Sequence, residues 1–331
     1  MKRRTWIGGA IGLGTLGLAG GLISKLAARP PQHKQDKLYT GAALAFGTTI
    51  SIQVVHPDQQ QAELAIARAL DAARQIDQLM TLHREDSQVA LLNRHGYLAN
   101  PDPHLLTVLA SAIRLSQLSH GAFDITVQPL WQTYSAAAKL GGLPDAAQRQ
   151  AAMALVNWRA LQVDTQHVRL LHPGMAITLN GIAQGYAVDV ARASLIASGI
   201  QHALLDTGEF AARGRKNAQQ EWLVGIRHPR DVQALADVVP MRGRCVATSG
   251  DYESSFTPDF SHHHIFDPAS GDSPGELASV TVVAATGLQA DGLSTAMMVL
   301  GAEKSLALAA TLNDVDVLLI AKNGSQWRLP G

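Results

Sequence analysis

TLNGIAQGYAVD, residues 178–189, is the stretch where a strand pattern gives way to a helix pattern, and the predicted fold is built around it. It follows an apolar run, residues 175–177, that predicts a strand, and its own apolar residues then recur at helical spacing. Gly181 and Gly185 stand between the two patterns, and Asn180 is the predicted N-cap of the helix. A strand, a glycine turn and a helix N-terminus form a common anion site, because the helix amides and dipole favour phosphate. Most such junctions bind nothing, so alone this stretch indicates a phosphate site only weakly.

The composition allows one large domain or two smaller ones and narrows the functional class. The chain has 331 residues, of which 47% are hydrophobic and 16% are charged, with a formal net charge of zero. Nucleic-acid binders usually carry a basic excess, so this balance argues against that class. Cys245 is the single cysteine, so neither an internal disulfide nor a cysteine-based zinc site can form.

The N-terminus predicts export. A basic start that contains the pair Arg3-Arg4 precedes a glycine-rich apolar segment, a pattern typical of a twin-arginine signal. A retained membrane anchor is the alternative, because the apolar segment approaches the roughly 20 residues that span a bilayer. We expect the protein in the periplasm, or anchored in the inner membrane facing the periplasm. The predicted division is a signal or anchor over residues 1–28, a linker over 29–37 and the functional domain over 38–331.

Periodicity predicts an α+β fold in which helices pack on mixed or antiparallel sheets. Apolar residues at helical spacing predict helices over residues 58–82, 87–93, 103–119 and 289–301. Another helix is predicted after Trp131, and the helix that begins within residues 178–189 is predicted to run to about residue 199. Alternating or β-branched runs predict strands over residues 44–55, 203–206, 222–226, 238–241, 245–249, 263–266, 278–284 and 315–320. A hairpin is predicted within residues 161–171, and residues 120–126 predict a turn that runs into an extended segment.

Asp291 and Thr295 are four residues apart in a predicted helix and therefore share one face. A carboxylate and a hydroxyl make a poor zinc site. They make a fair partial magnesium site, because Mg²⁺ takes hard oxygen ligands and completes its shell with water and phosphates. The alternative is a threonine that bonds its own helix backbone, and the spacing alone favours that alternative.

Three consecutive histidines, residues 262–264, offer either metal ligands or a base. Neighbours in a strand point to opposite faces, so at most His262 and His264 could share a site. A catalytic base is equally compatible with the pattern, because histidine titrates near neutral pH. A polar start to a strand is the third interpretation.

Residues 206–209 follow a predicted strand and turn sharply at Gly208. Residues 248–252 offer hydroxyls and a turn, which suits hydrogen-bonding to the polar edge of a ligand, although both segments taken alone are more often ordinary turns. The sequence has no G-x-G-x-x-G pattern and no Walker loop, which argues against Rossmann and P-loop folds. Ser249 is not in a G-x-S-x-G setting, so a nucleophile elbow is unsupported.

Taken in order, these segments resemble the ApbE family, the FAD:protein FMN transferases, and the leader is similar to that of exported, NosX-like members. Any one segment is weak, but eight in register are very specific. They are FGT near Gly47, DQLMTLHREDSQVALLN from Asp77, GAFDITVQPLW from Gly121, LNGIAQGYAVD from Leu179, LLDTGEFAARG from Leu204, VATSGDYE from Val246, HHIFDPASG from His263 and SVTVVAATGLQADGLSTAMMVLG from Ser279.

The resemblance implies a domain that binds FAD and Mg²⁺ in an extended cleft. It implies transfer of FMN from FAD to a Thr or Ser hydroxyl of an acceptor protein, with release of AMP. The acceptor it implies is a flavoprotein of a membrane electron-transfer system on the extracytoplasmic side. Two alternatives stay open: hydrolysis of FAD to FMN and AMP, and a non-catalytic FAD-binding role.

The resemblance also implies roles for individual residues. Asp291, Thr295 and the backbone carbonyl of Gly181 would be magnesium ligands, and His264 would be the base that activates the acceptor hydroxyl, with Asp291 also catalytic. The implied FAD site is lined by Phe46, His83, Ala122, Phe123, Asp124, Thr178, Gln184, Ser249 and Ile265.

This chain departs from the family pattern at several of these positions. Where the family commonly reads D-x-G-G-I-A-K-G, this chain has Thr178 for the acid, Asn180 for a small residue and Gln184 for the lysine. A paired glycine of the family is Gly208-Glu209 here, and His83 replaces an aromatic residue that would stack on the cofactor. Losing the lysine removes a positive charge near FAD. We expect FAD binding to survive, with the transfer rate left open.

Overall fold

The computed structural model describes residues 35–331, which form an α+β fold around an eight-stranded sheet. The helices are α1 (Gln59–Met80), α2 (Gln88–His95), α3 (Pro103–Leu118), α4 (Gln128–Lys139), α5 (Ala146–Met153), α6 (Ala183–Ala197) and α7 (Gly287–Ala309). The strands are β1 (Lys37–Ala45), β2 (Thr48–His56), β3 (Tyr97–Ala99), β4 (Leu161–Val163), β5 (His167–Leu170), β6 (His202–Asp206), β7 (Phe210–Arg213), β8 (Leu223–His228), β9 (Asp231–Pro240), β10 (Cys245–Gly250), β11 (Leu277–Ala284), β12 (Asp316–Ala321) and β13 (Gln326–Leu329). The predicted fold class is confirmed.

The predicted leader, and the predicted linker as far as residue 34, lie outside the described residues. The domain starts with β1, whose first residue is Lys37. Within residues 35–331, no helix combines the length and the apolar character needed to cross a membrane.

The main sheet runs in the order β1-β2-β6-β7-β10-β11-β12-β13, and its paired strands are antiparallel. Helices α1, α6 and α7 pack against one face and form the larger core with it. Val224 and Ile226 of β8, with Trp222 just before that strand, join a second core that includes Val246 and Val283 of the sheet. Because both faces are covered at the centre, every residue of β11 is buried.

Helices α6 and α7 meet at two glycines, Gly185 and Gly287. A side-chain carbon added at either one would overlap the backbone carbonyl of the other. Neither position has the left-handed backbone that favours glycine, so the glycines are required by the close approach of the two helices. This contact brings the first turn of α6 beside Asp291 in the second turn of α7, which positions the site described below.

Several predicted helices and strands differ in the structure. The strand predicted over residues 44–55 is two strands, β1 and β2, joined by Phe46 (φ 54°) and Gly47 (φ 72°). Successive positive φ angles are typical of the tight turns that join antiparallel strands. The apolar alternation continues across the turn, and Phe46 is an unusual residue for a positive φ, so the sequence concealed the turn.

The strand predicted over residues 175–177 is wrong, because these residues join no sheet. The side chain of Asn93 takes the place of a neighbouring strand. Its Oδ1 accepts from the Ile177 amide at 2.7 Å and its Nδ2 donates to the Ile177 carbonyl at 2.8 Å. The Thr178 amide donates to the carbonyl of Ile125 at 2.8 Å. The backbone is thus satisfied without a ladder, which local sequence cannot reveal.

The strand predicted over residues 263–266 is also wrong, because only His263 forms a single bridge, to Ser255. The extended segment predicted to follow residue 120 ends instead in a 3₁₀ helix, Ile125–Val127. The helix predicted to end at residue 301 continues as α7 beyond a non-helical Gly301 (φ 76°). The prediction missed α5, β3, β7 and β13.

Candidate active site

A cavity of about 720 Å³ lies where the β1–β2 turn, the start of α6, the β6–β7 turn, β10 and α7 converge. It brings together residues that are up to 253 positions apart, from Phe46 to Val299. The predicted site residues that line it are Phe46, Ala122, Phe123, Asp124, Thr178, Gly181, Gln184, Ser249, His264, Ile265, Asp291 and Thr295. His83 is the exception, since it lies exposed in the loop after α1 and does not line the cavity.

Asp291 is the capping group of α6, although it belongs to α7. The N-cap residue of α6 is Ile182, whose side chain makes no capping hydrogen bond, so the predicted cap at Asn180 is wrong. The Gly185 amide in the first turn of α6 instead donates to Asp291 Oδ2 at 2.9 Å. Asp291 therefore sits at a helix N-terminus, where the amides and the helix dipole stabilise negative charge.

Thr295 faces across the cavity floor and does not bond its own helix, contrary to the alternative that its spacing favoured. Its Oγ1 lies 3.5 Å from the carbonyl oxygen of Gly181 and 3.1 Å from Ser249 Oγ. Ser249 Oγ also lies 2.7 Å from Ser294 Oγ. A side-chain carbon on Gly181 would lie 2.8 Å from Thr295 Oγ1, so only glycine allows this approach. The result is a cluster of carbonyl and hydroxyl oxygens beside the Asp291 carboxylate.

Two carboxyl groups in the cavity, Asp291 and Glu209, are buried, with residue exposures of 4% and 8%. Burial raises the pKa of Asp291 from 3.8 to about 7, and the hydrogen bond from Gly185 opposes that rise. Burial also raises the pKa of Glu209 well above its ordinary value, and the nearby charge of Asp291 raises it further. Neither carboxyl forms an ion pair within residues 35–331. From the sequence, Glu209 was placed in a turn and named as a departure from the family pattern, without a predicted role in the site.

These oxygens fit a hard divalent cation such as Mg²⁺, which prefers carboxylate, carbonyl and hydroxyl ligands and keeps several waters. Asp291, Thr295 and the Gly181 carbonyl are the groups that could hold it. In the described part of the chain, no three His, Cys, Asp or Glu side chains are grouped to hold a metal ion. A cation here would therefore depend on backbone and hydroxyl oxygens as well as carboxylates.

The cavity lining is acidic, and Arg227 on β8 is the one Lys or Arg side chain among its described residues. The sequence analysis missed Arg227, because it comes from the hairpin and belongs to none of the segments that suggested function. Gln184 is uncharged, so it does not supply the positive charge of the lysine in the family pattern. Its Nε2 donates to the Thr207 carbonyl and its own carbonyl accepts from Thr207 Oγ1, both at 3.1 Å. The residue is thereby bonded to the β6–β7 turn.

Asp124 uses both carboxylate oxygens to shape its own loop. Its Oδ1 accepts from the amide of Thr126 at 2.8 Å and from Thr126 Oγ1 at 2.6 Å, and its Oδ2 accepts from the Trp158 amide at 3.0 Å. Burial raises the pKa of Asp124, and these hydrogen bonds oppose the rise. Asp124 thus fixes the segment that presents Ala122 and Phe123 to the cavity.

The three consecutive histidines lie in three different environments. His262 Nδ1 pairs with Asp272 Oδ1 at 2.7 Å, and the buried His263 places Nε2 3.3 Å from the Pro274 carbonyl. Only His264 lines the cavity, with its Nδ1 3.1 Å from the Ser254 carbonyl. If Nδ1 carries the proton and donates to that carbonyl, Nε2 is free to accept one. Burial lowers the pKa of His264, which favours the neutral ring that a base requires.

The loop that carries His264 is anchored by a buried ion cluster. Arg230 donates to both oxygens of Asp251, at 2.7 and 2.6 Å, and Asp251 is fully buried. Lys322 Nζ lies 3.6 Å from Asp251 Oδ2 and donates to the Phe260 carbonyl at 2.7 Å. The loop therefore depends on side-chain charges for its position.

Known proteins similar to this chain share both its sequence and its fold. The model of the ApbE family matches residues 46–319. An FAD:protein FMN transferase of Klebsiella pneumoniae is 31% identical over 297 residues, which cover 87% of this chain and 90% of the relative. One of Treponema pallidum is 31% identical over 305 residues, with coverages of 85% and 84%.

Two solved structures have a fold similar to that of this chain. The apo form of the Pseudomonas stutzeri flavinyl transferase ApbE is 33% identical with a TM-score of 0.76, covering 89% of this chain and 95% of that one. The flavin transferase ApbE of Vibrio cholerae is 26% identical with a TM-score of 0.76, covering 89% and 97%.

Proposed function

The chain belongs to the ApbE family and is a flavin transferase, and we propose that it uses a divalent cation to transfer FMN from FAD to a protein hydroxyl. The reaction would form a phosphoester between the acceptor oxygen and the FMN phosphorus, break the pyrophosphate bond and release AMP. FAD is the substrate, and the acceptor supplies a Thr or Ser hydroxyl.

One observation carries the proposal. A buried carboxylate, a hydroxyl and a backbone carbonyl, from Asp291, Thr295 and Gly181, converge at the N-terminus of α6 inside an acidic cavity. FAD carries a negatively charged pyrophosphate, which such a lining would repel. A divalent cation removes that conflict, and Mg²⁺ is the cation these oxygens suit.

The chain's own residues would position the substrate and manage one proton. Bound Mg²⁺ would neutralise the negative charge of the pyrophosphate. Phosphoryl transfer depends mainly on such charge neutralisation and on positioning, and less on covalent catalysis. Phe46 and Phe123 offer aromatic surface to the flavin or adenine ring. Neutral His264 would accept the proton of the acceptor hydroxyl as the new bond to phosphorus forms.

We further propose that the acceptor is an extracytoplasmic flavoprotein of a membrane electron-transfer system. The predicted twin-arginine leader supports this, and with it a periplasmic or periplasm-facing location. If this leader is a membrane anchor instead of a cleaved signal, it would hold the cavity near such an acceptor.

The test is AMP release from FAD by the purified domain, with and without Mg²⁺ and with and without an acceptor domain that carries the target threonine. AMP together with a fluorescent acceptor band, only when both are present, supports transfer. AMP without acceptor would assign FAD hydrolysis instead. Bound FAD with no AMP under any condition would replace the proposal with a flavin-binding role.

A further inference from the structure

Glu209 is a buried carboxylate that the proposed transfer mechanism does not use. It follows the β6–β7 turn, lines the cavity and is only 8% exposed. The single hydrogen bond to its carboxylate comes from the Thr248 amide to Oε2, and it is long, at 3.3 Å. Oε1 accepts no hydrogen bond from residues 35–331, and no Lys or Arg of that range pairs with Glu209. Among residues 35–331, the fully buried side-chain nitrogen and oxygen atoms without a hydrogen bond belong to Trp158 and Arg244, so Oε1 of Glu209 keeps access to the cavity and is open to a ligand.

The surroundings of Glu209 do not offset its charge. The charged groups that act on it are the carboxylates of Asp291, Asp206 and Glu253. Asp291 has the same deficit, since Oδ2 accepts from Gly185 while Oδ1 accepts nothing from the described residues. Two carboxylates, each more than nine-tenths buried and each with an unpartnered oxygen, therefore border one cavity.

The backbone holds Glu209 in this place. The Thr207 amide donates to the Glu209 carbonyl at 3.0 Å, and Gly208 takes a left-handed φ of 97° in the turn. Gln184 bonds to the same turn through Thr207. The side chain of Glu209 is thus presented by a closed, hydrogen-bonded turn.

The cavity around Glu209 holds more carboxylates than cations. Asp206, Glu253 and Asp291 line it with Glu209, and Arg227 is the one Lys or Arg side chain among its described lining residues. A bound divalent cation would offset this excess of negative charge.

We propose that Glu209 is a further carboxylate ligand of the divalent cation, shared with Asp291. The inference rests on the cation use proposed above and adds a ligand to Asp291, Thr295 and the Gly181 carbonyl. Removing this ligand should weaken the cation site without disturbing the fold.

The experiment measures Mn²⁺ binding by electron paramagnetic resonance, with and without FAD, in wild type, Glu209→Gln and Glu253→Gln. The substitution at Glu209 keeps the side-chain shape and removes the charge. We expect Mn²⁺ to bind Glu209→Gln about 10- to 100-fold more weakly than wild type. Glu253 lines the same cavity but is exposed, so Glu253→Gln removes the same charge without removing a buried ligand, and it should weaken Mn²⁺ binding much less than Glu209→Gln does.

Thermal unfolding separates a ligand from a structural residue. In EDTA, Glu209→Gln should melt at or above the wild-type temperature, because it removes repulsion with Asp291. With saturating Mn²⁺ it should melt below wild type, because the cation stabilises it less. Unchanged Mn²⁺ affinity, or an equal loss of melting temperature with and without Mn²⁺, would overturn the inference.

These readouts do not involve flavin transfer. A wild type that binds Mn²⁺ through Glu209 but labels no acceptor would keep the inference and overturn the proposed function. Flavin transfer by the wild type, together with a Glu209→Gln variant that binds Mn²⁺ as tightly as wild type, would keep the proposed function and overturn the inference.

Discussion

Asp251 and the pair Asp291–Glu209 are buried carboxylates of the same domain that are compensated in opposite ways. Asp251 lies between Arg230, which binds both its oxygens, and Lys322. Asp291 and Glu209 meet hydrogen bonds from amides but no cation from residues 35–331. The first carboxylate holds a loop in place; the second pair faces a cavity.

The difference indicates which carboxylates serve the fold and which serve a ligand. Removing one partner of a buried ion pair leaves the other partner's charge uncompensated, so Asp251 is required for the stability of the fold. Asp291 and Glu209 cost stability in the absence of a ligand, and such a cost is typical of functional sites.

The largest expected effect is a pH dependence of the cation-free protein. Burial raises the pKa of Asp291 from 3.8 to about 7, so the folded protein binds a proton that the unfolded chain releases. This stabilisation is complete below pH 3.8 and is lost as the pH rises through about 7; it is on the order of 4 kcal/mol. Glu209 acts in the same direction.

Urea unfolding in EDTA between pH 5 and 8 would measure this slope. Asp291→Asn should flatten most of it, and saturating Mg²⁺ should offset it in wild type. A wild type whose stability is constant over that range would show that these carboxylates are compensated in some other way.

Asp251→Asn should lower the free energy of unfolding by about 3 kcal/mol, because it leaves Arg230 and Lys322 without their buried partner. The matched control is Asp71→Asn, which removes an exposed ion pair with Arg74 and should cost well under about 1 kcal/mol. Equal effects in chemical denaturation would mean that the Asp251 cluster does not hold the loop.

Gly185→Ala should cost about 2 kcal/mol, because the added carbon overlaps the Gly287 carbonyl and must push α6 from α7. Gly142→Ala is the control, since nothing lies within 4 Å of the added carbon. A loss of Mg²⁺-dependent stabilisation in Gly185→Ala would follow from the shift of Asp291. If both variants unfold like wild type, the helix contact is looser than described.

The smallest effect on stability is expected for His264→Gln, because the half-buried ring has only the Ser254 carbonyl as its side-chain partner. Glutamine can keep that hydrogen bond but cannot act as the base. We expect FAD affinity to be kept and the transfer rate to fall about 100-fold or more. Wild-type transfer by this variant would remove His264 from the mechanism.

Twelve of the predicted site residues line one cavity, whereas two predicted strands do not form. Seven of the eight segments that resemble one family border that cavity, and the segment from Asp77 does not. Local patterns failed where a distant side chain decides the conformation. Asn93 satisfies the backbone of Ile177 where a strand was predicted, and Asp291 caps α6 in place of Asn180.

The balance of positive and negative side chains in the cavity also could not be predicted from the sequence. Arg227 and Glu209 reach the cavity from β8 and from the end of the β6–β7 turn, and neither stands at a position that suggested chemistry. His83 was assigned to the FAD site by its motif position, and the loop after α1 leaves it exposed. Burial and charge at a point depend on all the segments that meet there.

The measurement that tests the central claim most directly is the FAD affinity of wild type and Asp291→Asn, each titrated in Mg²⁺ and in EDTA by quenching of flavin fluorescence. If the unpaired carboxylates form a cation site that holds the pyrophosphate, wild type will bind FAD at least about tenfold more tightly in Mg²⁺. Asp291→Asn will then show little difference between the two conditions. Equal wild-type affinity in Mg²⁺ and EDTA would contradict the account.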